Sequence, residues 1–222
     1  MLKMRNINVR NVLMDLNLTI NRNEFVLVVG DNGAGKTTLF NAISGNIKPE
    51  SGSILIDDCD VTDMPQYERA AVVANVFQDP KIGTIAGMTI RENLNMAYMR
   101  GKKRALSISN SDERDKLYRE KLQTLGMGLE NRLNDYTGDL SGGQRQALSI
   151  IMSLITDSKI LLLDEITAAL DGQTSDRITK IINENIHQQK KTCLMITHNR
   201  TQIDKLGDRV LVLKNGRAQR LS

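Results

Sequence analysis

The 222-residue sequence contains no tryptophan, and its three Phe and four Tyr make up only 3% of the chain. That scarcity argues against a nucleic-acid binder built on stacking platforms. There are two cysteines, Cys59 and Cys193, far apart and without metal-ligand spacing. A reducing compartment with two inert thiols is therefore expected, rather than a disulfide framework. No apolar run approaches the roughly 20 residues of a membrane span. Residues Met1 to Arg10 lack the apolar centre of a signal peptide. A soluble chain that stays in the cytosol is expected. Charge is not extreme either: a net +4 permits an anionic partner but demonstrates none. Without internal repeats, linkers or low-complexity tracts, the length suits one domain carrying at most a subdomain.

What is present centres on Gly30-Asp31-Asn32-Gly33-Ala34-Gly35-Lys36-Thr37-Thr38, which fits G-x-x-x-x-G-K-[ST]. Glycines let such a loop turn tightly and bring consecutive N–H groups up to an anion. Lys36 can reach β- and γ-phosphates, and the Thr37 hydroxyl can ligate Mg²⁺. The apolar run Phe25 to Val29 reads as a buried parallel strand. Thr37 to Ser44 reads as a helix closed by Gly45. Strand before and helix after are the context a phosphate loop needs, and the helix start favours negative charge.

Upstream, Leu16, Leu18 and Ile20 alternate with polar residues, so Leu13 to Ile20 reads as a half-buried antiparallel strand, and Leu2 to Ile7 as another short apolar segment. Downstream, Ser53 to Ile56 and Ala71 to Phe77 are strand candidates. Asp57, Asp58 and Asp60 do not have the spacing of a calcium loop, so a solvated turn is expected. Thr89 and Glu92 form a capping box, which starts a helix at Ile90 running towards Met99. The basic cluster Arg100 to Arg104 reads as a solvated loop, and Asp112 to Leu125 as a helix closed by Gly126. Ser141 and Gln144 form a second box, opening a helix through Ile150 to Leu154. Gly142 and Gly143 weaken its first turn, which makes sense if something must approach that backbone closely. Lys159 to Glu165 is an apolar strand ending in two carboxylates. In a parallel sheet that end is where ligands sit. Asp164 can hold Mg²⁺ through water, and Glu165 can polarise a water attacking a γ-phosphate. Asp171 starts a helix to about Gln188. Thr192 to Ile196 is a strand that delivers His198 to the same edge, and Lys214 to Arg217 is a hairpin turn. His187 reads as a surface residue.

Together these motifs resemble the nucleotide-binding subunit of an ATP-binding cassette (ABC) transporter, over essentially the whole chain. Gly30 to Thr37 looks like the family's Walker A motif, and Gln78 like its Q-loop glutamine. Leu140 to Gln144 is identical to its signature sequence, and Ile160 to Glu165 is similar to its Walker B strand. Ala169-Leu170-Asp171 looks like the D-loop, and His198 like the switch histidine. The resemblance implies an α/β fold: a P-loop NTPase (RecA-like) core with an antiparallel β subdomain and an inserted α-helical subdomain. It implies one ABC ATPase domain over 1–222, with 1–80 and 155–222 as core and 81–154 as the helical part. ATP and Mg²⁺ are the implied cofactors. Residues Gly30 to Thr38 would bind nucleotide, and Ser141, Gly142, Gly143, Gln144 and Asp171 would complete the site of an opposing subunit. Thr37, Gln78 and Asp164 would serve the metal; Lys36, Gln78, Glu165 and His198 would serve catalysis.

The implied partners are a second ATPase subunit, transmembrane permease subunits contacted near Gln78 to Met99, where Met88, Met96 and Met99 offer an adaptable surface, and a separate solute-binding protein. No nucleic acid is expected. The implied location is the cytoplasmic face of the cell membrane. Local wording such as Val76 to Pro80 and Thr197 to Asn199 is similar to importer-type ATPases for tryptophan, tyrosine and related small solutes. A non-transport ATPase acting on nucleic acid or ribosomes, or a regulator with little turnover, are the alternatives. Two departures stand out. No aromatic residue precedes Phe25, so weaker ATP affinity and poor discrimination against GTP are expected. Ile166 stands where the family often has proline, and catalysis is expected to survive this.

Overall fold

The computed structural model describes residues 1–102, 111–167, 170–199 and 207–220. Lys103 and Arg104 of the basic cluster, and Ala168 and Ala169, lie outside the described residues. The chain divides into two compact units. The first comprises Met1–Asn75, Ser158–Glu165 and Ile186–Ser222; the second comprises Val76–Asp157 and Ile166–Asn185. The stretch Ile166–Asn185, which the motif reading places in the core, groups with the helical residues instead.

Arg10 and Asn11 both take left-handed backbone angles (φ 47° and 54°), and the Val12 N–H donates to the Val9 carbonyl at 2.8 Å. This two-residue turn has the twist that hairpin strands require. It joins β1 (Leu2–Val9) to β2 (Leu13–Ile20). Along β2, Leu13, Leu16, Leu18 and Ile20 are buried and the residues between them exposed, as the alternation predicts. The chain then passes through β3 (Phe25–Val29), the phosphate loop and α1 (Lys36–Ser44). Next, β4 (Ser51–Ile56) and β5 (Cys59–Asp60) complete an antiparallel sheet in the order β2-β1-β4-β5. A short helix, α2 (Gln66–Arg69), follows.

The second sheet of this unit is built on β3. It adds β6 (Val73–Val76), β7 (Ile160–Asp164), β8 (Thr192–Ile196), β9 (Arg209–Lys214) and β10 (Arg217–Arg220), in the order β10-β9-β3-β8-β7-β6. β9, β3, β8 and β7 run parallel, while β10 returns antiparallel through the Asn215-Gly216 turn. Parallel strands covered on both faces read as unbroken apolar runs. Phe25 to Val28 and Leu161 to Leu163 are accordingly all fully buried. Each such side chain contributes about 1.5–3 kcal/mol by leaving water. Val26, Val28, Leu162, Leu194 and Ile196 share one core with Leu39, Phe40 and Ile43 of α1 and with the inward residues of β1, β2 and β4. α1 is thus fixed by its apolar face, leaving its N-terminus for chemistry.

β6 is shorter than Ala71 to Phe77. The Val72 carbonyl accepts from both Lys159 and Ile160 N–H, at 2.9 and 3.0 Å, just before the strand begins. Asp57 is not a solvated turn residue. Its side chain, 18% exposed, accepts from Arg22 and from the Met1 amino group and pairs with Lys159. These cations hold its carboxyl far below the usual range, Lys159 most strongly.

The second unit is helical: α3 (Pro80–Gly83), α4 (Ile90–Tyr98), α5 (Ser111–Gln123), α6 (Gly142–Ile155) and most of α7 (Gly172–Gln189). Both capping boxes are formed. Thr89 and Glu92 close on each other at the start of α4, and Ser141 and Gln144 do so at the start of α6. α6 grips the segment that follows β6: Gln146 donates to the Phe77 carbonyl at 3.2 Å, and the Arg145 guanidinium donates to the Thr84 hydroxyl and, at 3.2 Å, to its carbonyl.

Candidate active site

Three parallel strands deliver the site's edge. The register Asp164↔Ile196 between β7 and β8 brings their C-terminal ends together beside β3, which feeds the phosphate loop. The loop's shape depends on glycine. A Cβ on Gly30 would lie 2.2 Å from the Leu213 carbonyl oxygen, and Gly35 sits at φ 101°, where a Cβ would meet Leu13 Cδ2 at 3.0 Å. Gly35 is also the N-cap of α1 and supplies no side-chain cap, so the first amides of α1 are left for an external acceptor. Lys36 is 8% exposed, and its ammonium donates to the Gly30 and Asp31 carbonyls at 2.7 and 3.0 Å, across the loop.

A cleft of about 330 Å³ opens here. The loop lines it with Asn32, Gly33, Gly35, Lys36, Thr37 and Thr38; Glu165 and Ile196 come from the strand ends, and Val12 from the tip of the β1–β2 hairpin. Glu165 takes a left-handed backbone (φ 45°), and its N–H donates to the Ile196 carbonyl at 3.1 Å. For a residue with a Cβ this geometry costs about 1–2 kcal/mol, and it turns the chain away from the sheet immediately after Asp164. His198 Nε2 lies 3.1 Å from Glu165 Oε1. Burial, then the adjacent Glu165 charge, raise the Asp164 carboxyl above its ordinary value, and Lys36 opposes them. The first unit therefore gathers Lys36, Thr37, Asp164, Glu165 and His198 at one sheet edge.

The remaining motif residues belong to the second unit. Gln78 is exposed after β6, and Ser141 and Gly142 are exposed at the start of α6. Asp171 accepts from the Thr174 N–H at 2.9 Å, capping α7. A Cβ added to Gly142 would meet nothing within 4 Å, and one on Gly143 would meet only Leu170 Cδ2, at an ordinary 3.4 Å. Ile166 is buried, and His187 is exposed.

Two supports of the site had no sequence signal. Arg69, 1% exposed, donates to the Ala42 and Ile43 carbonyls that close α1, and to those of Val61, Thr62 and Met64. A cation there complements the C-terminal end of the phosphate-loop helix. Val12 is the other: it stands at the cleft on a turn that by composition reads only as a strand end.

The arrangement suits phosphoryl chemistry: an anion cradle, a lysine, a hydroxyl, and a carboxylate paired with a histidine. Residues 13–168 match the ABC transporter family model. The chain is 40% identical to the tyrosine transport ATP-binding protein of Clostridioides difficile (strain R20291), over 92% of this chain and 81% of that one. It is 34% identical to the thiamine import ATP-binding protein ThiQ of Escherichia coli (strain K12), over 92% and 83% respectively. Among solved structures it is similar, at TM-score 0.85 and 29% identity, to a dimeric post-hydrolysis state of the ATP-binding cassette MJ0796 bound to ADP and Pi; the match covers 99% of this chain and 97% of that one. With a P-loop NTPase fold and these relatives, the chain belongs to the ABC transporter family, as an ATP-hydrolysing subunit.

Proposed function

We propose that the chain works as a pair of identical subunits, each ATP lying between the phosphate loop of one copy and the α6 start of the other, and that the pair drives import of a small solute. The observation that carries this is the Gly142-Gly143 pair. Each glycine weakens a helix by up to about 1 kcal/mol relative to alanine, yet among the described residues nothing crowds the space a Cβ would take. Their smallness therefore serves something outside, and an exposed, capped helix start with bare backbone suits the γ-phosphate held by a partner. A dimeric cassette with ADP and Pi among the structural neighbours supports the pairing.

In this reading Lys36 leaves the Gly30 and Asp31 carbonyls for the β- and γ-phosphates, and the α1 amides receive the β-phosphate. Glu165 accepts a proton from the attacking water, and His198 orients both Glu165 and the γ-phosphate. Gln78, by its motif position, is assigned to serve the same water and metal. Asp171 sits at the subunit boundary. Magnesium fits Thr37 and Asp164, whose charge is disfavoured by burial and by Glu165. Among the described residues no group of three or more His, Cys, Asp or Glu is placed to hold a metal. That suits an ion that takes its other ligands from phosphate and water. When bound there, such an ion would supply positive charge to offset that of the phosphates.

The relatives named for tyrosine and thiamine transport support a small organic solute, an amino acid first; in this reading a separate binding protein delivers it. Among the described residues no helix is long and apolar enough to cross a membrane. In this reading the pair binds permease subunits from the cytoplasmic side. Ile82 (65% exposed), Ile85 (44%) and Met96 (52%) in the second unit offer the apolar contact; Met88 and Met99 are only partly exposed.

The test is Glu165→Gln on a sizing column, with and without ATP and Mg²⁺. We expect hydrolysis to fall about 10²–10⁴-fold and the mutant to shift from monomer to dimer only with nucleotide. A mutant that binds ATP yet stays monomeric, alone and with its copurified permease, would overturn the pairing.

A further inference from the structure

We propose that Asn93 and Thr137 are positioning residues for the nucleotide held by the opposing copy: the bond between their side chains sets where the α6 start stands. The inference rests on the pairing proposed above. Asn93 lies on α4 and is 1% exposed. Thr137 is fully buried and opens a single 3₁₀ turn (Thr137–Asp139) that leads through Leu140 to Ser141. The Asn93 side-chain amide donates to the Thr137 hydroxyl oxygen at 2.9 Å. A side chain of α4 thus holds the chain four residues before the serine that caps α6.

Asn93 is also the hub of the loop that precedes α4. Its Oδ1 accepts from the Ile85 N–H at 2.8 Å, and its Nδ2 lies 3.1, 3.3 and 3.0 Å from the Ile85, Met88 and Thr89 carbonyl oxygens. The backbone repeats the connection. The Thr137 N–H donates to the Met88 carbonyl at 2.9 Å and the Gly138 N–H to the Ala86 carbonyl at 3.0 Å. The Ile90 and Arg91 N–H groups donate to the Asp135 and Leu133 carbonyls. A Cβ on Gly138 would lie 3.1 Å from the Ala86 oxygen, so the two segments approach closely. Residues 85–91 and 133–138 are therefore laced together, with Asn93 at the centre. A buried aliphatic side chain could fill the same space, but it would not fix one register. A satisfied buried polar network does fix one, because its bonds are directional.

Shape and place are set separately at the α6 start. Ser141 and Gln144 bond each other, so the first turn keeps its shape by local contacts. That box does not say where the turn stands. Its approach does: the Asp139 and Leu140 N–H groups donate to the Tyr136 and Thr137 carbonyls, making a short stiff arm from Thr137 to Ser141. Arg145 and Gln146 hold the helix further along, at Thr84 and Phe77. A misplacement of about 1 Å in a positioning group costs on the order of a hundredfold. An asparagine that only supported the fold would change melting and leave pairing of the folded chain as it was.

The experiment places Thr137→Val, Thr137→Ser and Asn93→Ala in the full-length Glu165→Gln chain. It reads ATP affinity of the monomer at low protein concentration, and the concentration at which half the chain pairs with ATP and Mg²⁺. Valine matches threonine in shape and lacks the hydroxyl; serine keeps it. We expect Thr137→Val to bind ATP as a monomer within about twofold of its parent, and to need about tenfold more protein to pair. Thr137→Ser should pair as the parent does, and Asn93→Ala should pair at least as poorly as Thr137→Val. Thr137→Val decides the matter even if Asn93→Ala fails to fold. Pairing of a folded Thr137→Val as tight as the parent's, or equal losses in the valine and serine variants, would overturn this inference alone. A Glu165→Gln chain that binds ATP and never pairs would sink the function on which it rests, and this inference with it.

Discussion

Two glycines at helix starts, Gly35 at α1 and Gly142 at α6, stand in opposite surroundings. At α1, Gly35 adopts a left-handed angle (φ 101°), and a Cβ would press on the Leu13 and Val12 side chains at 3.0 and 3.2 Å. At α6, a Cβ on Gly142 would meet none of the described residues beyond its own helix within 4 Å. The caps differ in the same sense. α6 is closed by the reciprocal Ser141 and Gln144 bonds, so its start is stable without a ligand. α1 has no side-chain cap and leaves its amides to an anion. One glycine is needed by the chain's own fold; under the proposed pairing, the other is kept small for an outside partner.

Breaking the first half of the comparison should give the largest effect. Gly35→Ala places a Cβ at φ 101° and 3.0 Å from Leu13 Cδ2. We expect a loss of about 2 kcal/mol or more in urea unfolding, and nucleotide binding weakened about a hundredfold or more because the α1 amides move. Unchanged stability would show that the loop can relax around a side chain.

Gly142→Ala should have the opposite sign. Adding a methyl group into open space within a helix raises stability by about 0.5–1 kcal/mol. Under the proposed pairing, the same methyl would stand where the phosphate held by the partner approaches. ATPase activity should therefore fall at least about tenfold while the isolated chain melts higher. A variant both more stable and fully active would remove the argument for an external partner at α6.

How much of this was legible in the sequence follows from where each signal resides. β3 and β8 match the apolar runs Phe25 to Val29 and Thr192 to Ile196, because a buried parallel strand writes its burial on every residue. The capping boxes were legible because both partners lie within one turn. The phosphate loop was legible because backbone shape there demands particular residue types. Arg69 was not, since its five partners are carbonyls, which every residue carries. Asp57 was not, since Lys159 and Arg22 are distant in sequence and meet it only once the sheets form. The left-handed Glu165 breaks a local preference at the point where the carboxylate must face the cleft. Val12 carries no such signal, because an isopropyl group at a strand end looks like core.

The smallest effect separates the helix starts by pH. α4 and α7 begin on carboxylates: Glu92 accepts from the Thr89 N–H and hydroxyl, and Asp171 from the Thr174 N–H. Those bonds hold both carboxyls below their ordinary values of 4.5 and 3.8. A carboxyl lowered by folding stabilises the native state in full above its ordinary value. It loses that contribution as pH falls through its folded value. Asp57 is pulled far lower by its three cationic partners, so the two caps should fail before the Asp57 cluster does. α1 has no such group to protonate. Amide exchange, corrected for its intrinsic pH dependence, should therefore accelerate below about pH 4 at the starts of α4 and α7 and stay level at Thr38 and Leu39. Equal acceleration at all three starts would mean that acid unfolds the chain as a whole. Asp171→Asn should abolish the change at α7 alone, because the amide oxygen still accepts from Thr174 but no longer titrates.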